Sequence, residues 1–248
     1  MGQITEYKDQ DGDIFRVIVQ GEPPAGAAAP ATRTIDLTIP LLEKNDRRAE
    51  RNRTFFRERG LLALNLVSSP GTGKTALLER TLDDLGREVK CAVLVGDLET
   101  DRDAQRLHRP HVSVAQITTG SACHLDAEMV ARGLEALELD QVRLLFIENV
   151  GNLVCPASFD LGEALRVVLL STTEGEDKPL KYPPIFKSAQ VVLLTKIDLE
   201  DRLSFDRAAA LENIRRIAPQ ARVLALSSRS GEGMAEWYQL LRGELLAR

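Results

Sequence analysis

The sequence predicts an α/β fold, a mainly parallel sheet with helices on both faces, and three observations carry that prediction. Short runs rich in Val, Leu, Ile and Ala recur along the chain, as at 61–67, 92–95, 112–117, 144–147, 191–194 and 223–226. Helical patterns lie between several of them, at 74–85, 125–137, 205–217 and 234–246. Strands buried on both faces read as continuous apolar runs, and helical crossovers join parallel neighbours. Every chemically informative motif then falls just beyond a run, at the carboxyl ends of the strands, where ligands of such sheets collect.

Bulk properties bound the function. At 248 residues the chain is one large domain or one domain with appendages. Its net charge of -5 and pI near 5.4 argue against nucleic-acid or membrane-surface binding. No apolar run is long enough to span a bilayer, and no basic-then-apolar leader opens the chain, so a cytoplasmic protein is expected. Three cysteines, Cys91, Cys123 and Cys155, are too few and too odd for a disulfide framework.

Residues 1–32 are expected to form a flexible extension and linker, and 33–248 the working domain. Ile14 to Val19 reads as a short strand, and the Gly-, Pro- and Ala-rich stretch 21–30 as a linker. From Asp46 to Arg59 runs a charged helical stretch around Phe55 and Phe56, read as a solvated face with no ligand.

The run 61–67 leads into Ser68-Ser69-Pro70-Gly71-Thr72-Gly73-Lys74-Thr75, which opens the helical pattern at 74–85. Strand, glycine-rich turn and Gly-Lys-Thr at a helix start form the setting of a phosphate-binding P-loop. Gly71 and Gly73 let backbone N–H groups turn in around an anion, and the helix N-terminus adds its positive end. Thr72 lies between them in the loop. Lys74 would reach the β- and γ-phosphates, and the Thr75 hydroxyl would ligate Mg²⁺. The first glycine of the general pattern is Ser68 here.

Beyond the second run, Gly96-Asp97-Leu98-Glu99-Thr100-Asp101-Arg102-Asp103 crowds acids near the phosphate loop, with Asp97 expected to serve Mg²⁺ and Thr100 or Asp101 to cap a helix. Glu148-Asn149-Val150-Gly151 stands where GTPases carry Asp-x-x-Gly, an acid for the metal shell and a glycine N–H for the γ-phosphate. Thr195-Lys196-Ile197-Asp198 matches the guanine signature [NT]-K-x-D. The Asp198 carboxylate would accept from guanine N1 and N2, a donor pair adenine lacks. Ser227 and Ser228 follow the last run, where a backbone N–H would meet guanine O6. The expected activity is hydrolysis of GTP, with Lys74, Thr75, Asp97 and Glu148 at the reacting end.

Cys123-His124 follows Thr119-Gly120 at a helix start, and Cys155-Pro156 follows the 148–151 segment. Adjacent residues of a regular helix point apart, so Cys123 and His124 share an ion only at an irregular terminus. Two thiolates and an imidazole suit Ni²⁺ or Zn²⁺ over Mg²⁺. Read without further context, free cysteines and one histidine are more often structural, and Cys91 keeps that reading as a small buried hydrophobe. His108 and His111 flank Pro110 with no visible partner.

The segments 119–127, 147–157 and 174–183, with Lys44-Asn45-Asp46-Arg47, closely resemble the HypB family of GTPases for nickel incorporation into [NiFe]-hydrogenases. The likeness covers roughly residues 33–248. It implies a P-loop NTPase of the SIMIBI class, GTP-favoured homodimerisation, and a metal site at the dimer interface from Cys123, His124 and Cys155. It further implies a HypA-type nickel chaperone and the [NiFe]-hydrogenase large-subunit precursor as partners. Some relatives begin with a Cys-x-x-Cys-Gly-Cys motif or carry a His-rich tract. Residues 1–32 contain neither Cys nor His, so no N-terminal nickel site or store is expected. Two alternatives remain: a non-catalytic, metal-stapled dimerisation module with structural GTP, and a urease or cobalamin-enzyme chaperone of the same fold.

Overall fold

The structure is a computed structural model that describes residues 3–8, 14–19, 38–98, 102–120 and 122–248. The chain forms two compact units, Met1–Leu37 and Thr38–Arg248. In the first, β1 (Gln3–Lys8) pairs antiparallel with β2 (Ile14–Val19), from Gln3 opposite Val19 to Lys8 opposite Ile14. The strand expected at 14–19 is present and its partner was not foreseen. The linker expected at 21–30 lies outside the described residues.

In the second unit, α1 (Thr38–Glu58) precedes β3 (Leu62–Ser68), α2 (Lys74–Leu85), β4 (Cys91–Asp97), α3 (Arg102–Leu107) and β5 (Ser113–Thr118). There follow α4 (Ala127–Glu135), β6 (Leu144–Glu148), a 3₁₀ turn at Cys155–Ser158, and β7 (Leu165–Ser171). Short helices α5 (Lys178–Lys181) and α6 (Pro183–Lys187) lead to β8 (Val191–Thr195), a second 3₁₀ turn, α7 (Arg207–Ile217), β9 (Arg222–Leu226) and α8 (Met234–Leu246). β3 to β9 form one parallel sheet in the order β5-β4-β6-β3-β7-β8-β9. The chain moves outward from β3 to one side, returns to β6, and then crosses to the other side. That reversal makes the carboxyl edge around β3 a ligand crevice.

All six expected runs are strands of this sheet. The seventh, β7, was not foreseen although it lies directly beside β3. Arg166 interrupts its apolar pattern, yet Arg166 is buried. Its guanidinium donates to Glu163 Oε1 at 2.9 Å, to the Phe159 carbonyl at 2.7 Å and to Ser188 Oγ at 3.1 Å. A charge so fully partnered sits inside a strand without marking a surface.

Alternation along the strands sorts the core into two faces. Leu62, Leu64 and Leu66 pack with Leu77, Leu78 and Leu82 of α2 and Trp237 and Leu241 of α8. There Trp237 Nε1 donates to the Thr81 hydroxyl of α2 at 3.0 Å. On the opposite face Phe56 of α1 and Val130 of α4 cover Ala63 and Ile147, while Phe186 of α6 and Ile214 of α7 cover Val168 and Val192. Helices thus flank both faces. No helix among the described residues is long and apolar enough to cross a membrane.

Candidate nucleotide and metal site

The turn from β3 to α2 builds a phosphate-sized cradle. Gly73 caps α2 at φ 106°, in the left-handed region that favours glycine, and no side chain caps the helix start. The first N–H groups of α2 are thereby left for a ligand. A cleft of about 490 Å³ opens here, lined by Gly71, Gly73, Lys74 and Thr75, by Asp97 and Asp103, and by Glu148 and Gly151. The residues expected at the phosphates therefore converge from three strand ends. Glu99, Thr100 and Asp101, including the expected helix cap, lie outside the described residues.

The charges in this cleft are held far from ordinary solution behaviour. Lys74 is buried, and its Nζ donates to Ser68 Oγ at 3.0 Å. Burial lowers its pKa, opposed by Glu148, Asp103, Glu174 and Asp97. Glu148, 4% exposed, accepts from the Thr75 hydroxyl at Oε1, while Oε2 is buried without a hydrogen-bond partner among the described residues. Burial pushes its carboxyl up to about 7 against the pull of Lys74. An unpartnered buried carboxylate oxygen beside a hydroxyl and a second acid fits a hard cation with oxygen ligands such as Mg²⁺.

A second pocket of about 290 Å³ lies on the β8 and β9 side, lined by Thr72 and Gly73 and by Lys196, Asp198, Ser227 and Ser228. It is stitched to the P-loop. The Thr195 hydroxyl donates to the Thr72 carbonyl at 2.9 Å, and Lys196 Nζ to the Gly71 carbonyl at 2.7 Å. Lys196 takes a left-handed backbone, φ 58°, which costs a non-glycine residue about 1–2 kcal/mol and is held here by that contact. The Ser227 N–H is committed to the Glu232 carbonyl at 2.8 Å.

Sequence reasoning missed Glu174 as an individual residue. Its Oε2 accepts from the Ser171 N–H at 3.0 Å and lies 2.8 Å from the Thr72 hydroxyl, so it braces the P-loop from the turn after β7. The only sequence signal was its place in the 174–183 segment.

On the β5 and β6 side, Cys123, His124 and Cys155 bring their ligand atoms within 4.8 Å of one another. Cys123 and His124 both lie in a bend before α4, the irregular terminus that sharing one ion requires. The Cys123 and Cys155 sulfurs are 2.9 Å apart, and His124 Nδ1 is 3.8 Å from Cys123 Sγ. The hydrogen bond shared with Cys155 raises the Cys123 pKa, and burial lowers that of His124, whose ring lies 4.0 Å from the Phe159 ring. A neutral imidazole and two paired thiols fit a soft or borderline divalent ion. Cys91 is wholly buried, with its thiol pushed up to about 12 by desolvation, and it stands apart from this cluster.

The two sites share one segment. Glu148 ends β6, and Cys155 follows seven residues later. Between them Asn149 accepts the Leu125 N–H at 3.0 Å, next to His124, and donates to Asn65 Oδ1 at 3.2 Å. Asn65 donates on to Glu163, the partner of Arg166.

Residues 62–225 match the family described as CobW/HypB/UreG, nucleotide-binding domain. The hydrogenase maturation factor HypB of Escherichia coli K12 is 46% identical over 248 residues, covering 99% of this chain and 84% of that protein. The crystal structure of HypB from Helicobacter pylori in complex with nickel superposes with a TM-score of 0.77 at 40% identity, over 82% of this chain and 96% of that one. FtsY from Mycoplasma mycoides, at 16% identity and a TM-score of 0.50 over 66% of this chain and 60% of that one, shares the fold alone. With its P-loop, its SIMIBI-type parallel sheet and its Cys-His-Cys cluster, the chain belongs to the HypB hydrogenase maturation factors of the CobW/HypB/UreG family.

Proposed function

We propose that this chain hydrolyses GTP to GDP and phosphate and couples that cycle to nickel delivery during [NiFe]-hydrogenase maturation. The observation that carries the reading is the single segment from Glu148 to Cys155, which lines the phosphate cleft at one end and the thiol cluster at the other.

GTP would lie across the carboxyl edge of the sheet. Asp198 would accept from guanine N1 and N2 in the β8–β9 pocket. The Ser227 N–H is already bonded within its turn, so the Ser228 N–H would be the donor for guanine O6. Lys74 and the N–H groups of Gly71 to Thr75 would hold the phosphates, stabilising charge as the terminal phosphoryl group departs. Thr75, Asp97 and Glu148 would hold Mg²⁺, which when bound neutralises phosphate charge. The Thr75 hydroxyl, donating to Glu148, keeps its lone pairs for that cation. Gly151 would offer its N–H to the γ-phosphate, so nucleotide state acts on the strand of chain that ends in Cys155.

Nickel is the cargo, with zinc the competing ion, and Cys123, His124 and Cys155 are its ligands. Three ligands leave a position open for a second copy of the chain. A GTP-favoured homodimer meeting at this edge would cover Val154, which lies beside Cys155 and is 61% exposed. A HypA-type nickel chaperone and the hydrogenase large-subunit precursor are the proposed donor and acceptor, in the cytoplasm.

The test is phosphate release from GTP by the purified chain and by Lys74→Ala. Turnover in the wild type that falls at least about 100-fold in the variant, with the fold intact by circular dichroism, supports the reading. Equal turnover in both would remove the P-loop assignment. No turnover in either would favour the non-catalytic dimerisation module.

A further inference from the structure

We propose that Asn45 and Asn52 of α1 are positioning residues for the thiol cluster, clamping together the two chain segments that carry it. The inference rests on the reading of Cys123, His124 and Cys155 as the nickel site.

The two asparagines are seven residues apart, about two helical turns, and so share one face of α1. Both are buried, at 6% and 4% exposure. Each one grips both segments. Asn45 Oδ1 accepts the Ala127 N–H at 2.9 Å while its Nδ2 donates to the Asp160 carbonyl at 2.8 Å. Asn52 Nδ2 donates to the Ala127 carbonyl at 2.8 Å and to the Leu161 carbonyl at 3.1 Å. Ala127 lies three residues beyond His124, and its N–H and carbonyl are thus both fixed to α1. Asp160 and Leu161 lie five and six residues beyond Cys155. Side-chain amides that satisfy two backbone groups each are costly to remove from a buried site.

A second observation shows how closely the Cys155 segment is seated on the helix. A Cβ on Gly162 would fall 2.5 Å from the Ala49 carbonyl and 2.8 Å from Asn52 Cβ, and its φ is +87°. Only glycine permits that approach. Arg53 adds an ion pair to Asp160 at 2.6 Å. The opposite side of the Cys123 bend is held by Asn149 at the Leu125 N–H and by Asn152, which donates to the Cys123 carbonyl at 3.2 Å. The bend is therefore gripped from α1 on one side and from the segment after β6 on the other. These grips bear on the two segments that bring sulfurs of residues 32 positions apart to 2.9 Å.

The experiment uses the full chain as wild type, Asn45→Ala, Asn52→Ala, the double variant and Cys155→Ala. Three quantities are read: Ni²⁺ affinity by chelator competition, the absorption spectrum of the Co²⁺-loaded protein, and the rate at which metal-free protein forms the Cys123–Cys155 disulfide with oxidised glutathione. In that last reaction the two thiols give two protons and two electrons to the glutathione disulfide, releasing two glutathione thiols. Affinity for a GTP analogue and thermal unfolding monitor the fold. In the double variant we expect Ni²⁺ affinity to fall about 10- to 100-fold, the size found when groups supporting metal ligands are removed. The Co²⁺ bands should change and disulfide formation should slow at least about tenfold, as the thiols lose their enforced proximity, with GTP-analogue affinity retained. A folded double variant that is less stable but keeps wild-type Ni²⁺ affinity, Co²⁺ spectrum and disulfide rate would reduce the asparagines to ordinary packing and overturn the proposal. If Cys155→Ala binds Ni²⁺ as the wild type does, the nickel reading fails instead, and the disulfide rate still judges the clamp. Should the double variant lose GTP-analogue binding, the single variants Asn45→Ala and Asn52→Ala are read in its place by the same criteria.

Discussion

The Thr75 hydroxyl donates to Glu148 Oε1 at 2.7 Å, joining the first turn of α2 to the end of β6 across the phosphate cleft. This bond is the only hydrogen bond that the Glu148 carboxylate makes among the described residues, and burial has raised its pKa from 4.5 to about 7. The native state therefore keeps a proton that the unfolded chain has released. Nucleotide-free stability should fall as pH rises from about 4.5 to about 7, by on the order of 2 kcal/mol. In Glu148→Gln that slope should flatten, leaving the variant about 4–8 °C more stable relative to wild type at pH 7.5 than at pH 5. Parallel melting profiles for the two proteins would acquit Glu148 as the titrating group.

Asp198→Asn should weaken GTP binding at least about tenfold and shift preference toward xanthosine triphosphate. Asparagine offers a donor where the carboxylate accepted from guanine N2, and xanthine carries a carbonyl there. Calorimetric titration of both nucleotides reads the change. Unaltered GTP affinity would take Asp198 out of the base pocket.

Glu174→Ala should lower GTP affinity about three- to tenfold while leaving the GTP to ATP ratio unchanged. The residue braces Thr72 and Ser171 from behind and does not itself line the proposed base pocket. The loss expected is that of one buried hydrogen-bonded brace. A changed nucleotide preference would mean that Glu174 faces the base.

The sequence made the P-loop legible because its parts are local: a buried strand, a glycine turn and a helix from Lys74 to Leu85 need no distant partner. The placing of Thr195 to Asp198 and of the acids beyond β4 and β6 was legible for a related reason, since the sheet delivers strand ends to one edge. β7 was not, because the burial of Arg166 depends on Glu163, Phe159 and Ser188 folding around it. The charged stretch of α1 read as a solvated face, and its arginines are largely that. Its other face, Asn45, Ala49, Asn52 and Phe56, is buried. Asparagines bonded to carbonyls more than seventy residues away leave no local pattern to read.

Nickel binding should weaken as pH falls, by about 10- to 100-fold between pH 7.5 and 6.5. The direction follows from the thiols: Cys123 has its pKa raised by sharing a proton with Cys155, so the ion must displace protons to bind. His124 adds little to that slope, since burial already favours its neutral form. A non-hydrolysable GTP analogue should tighten nickel binding about 5- to 150-fold, and nickel should tighten the analogue by the same factor. Both effects should vanish in Cys123→Ala. Nickel affinities indifferent to nucleotide and to this substitution would break the proposed coupling.

Trp237 gives the molecule a reporter of its own. It is the one tryptophan in the chain, it is fully buried, and its indole N–H rests on Thr81, two turns along the helix that begins at Lys74. Emission from such an indole is sensitive to the loss or lengthening of a single hydrogen bond. A displacement of the P-loop helix on phosphate binding or release would act on this fluorophore through the Thr81 hydroxyl. The proposed nucleotide cycle should therefore register as a change in tryptophan emission, with no label and no substitution.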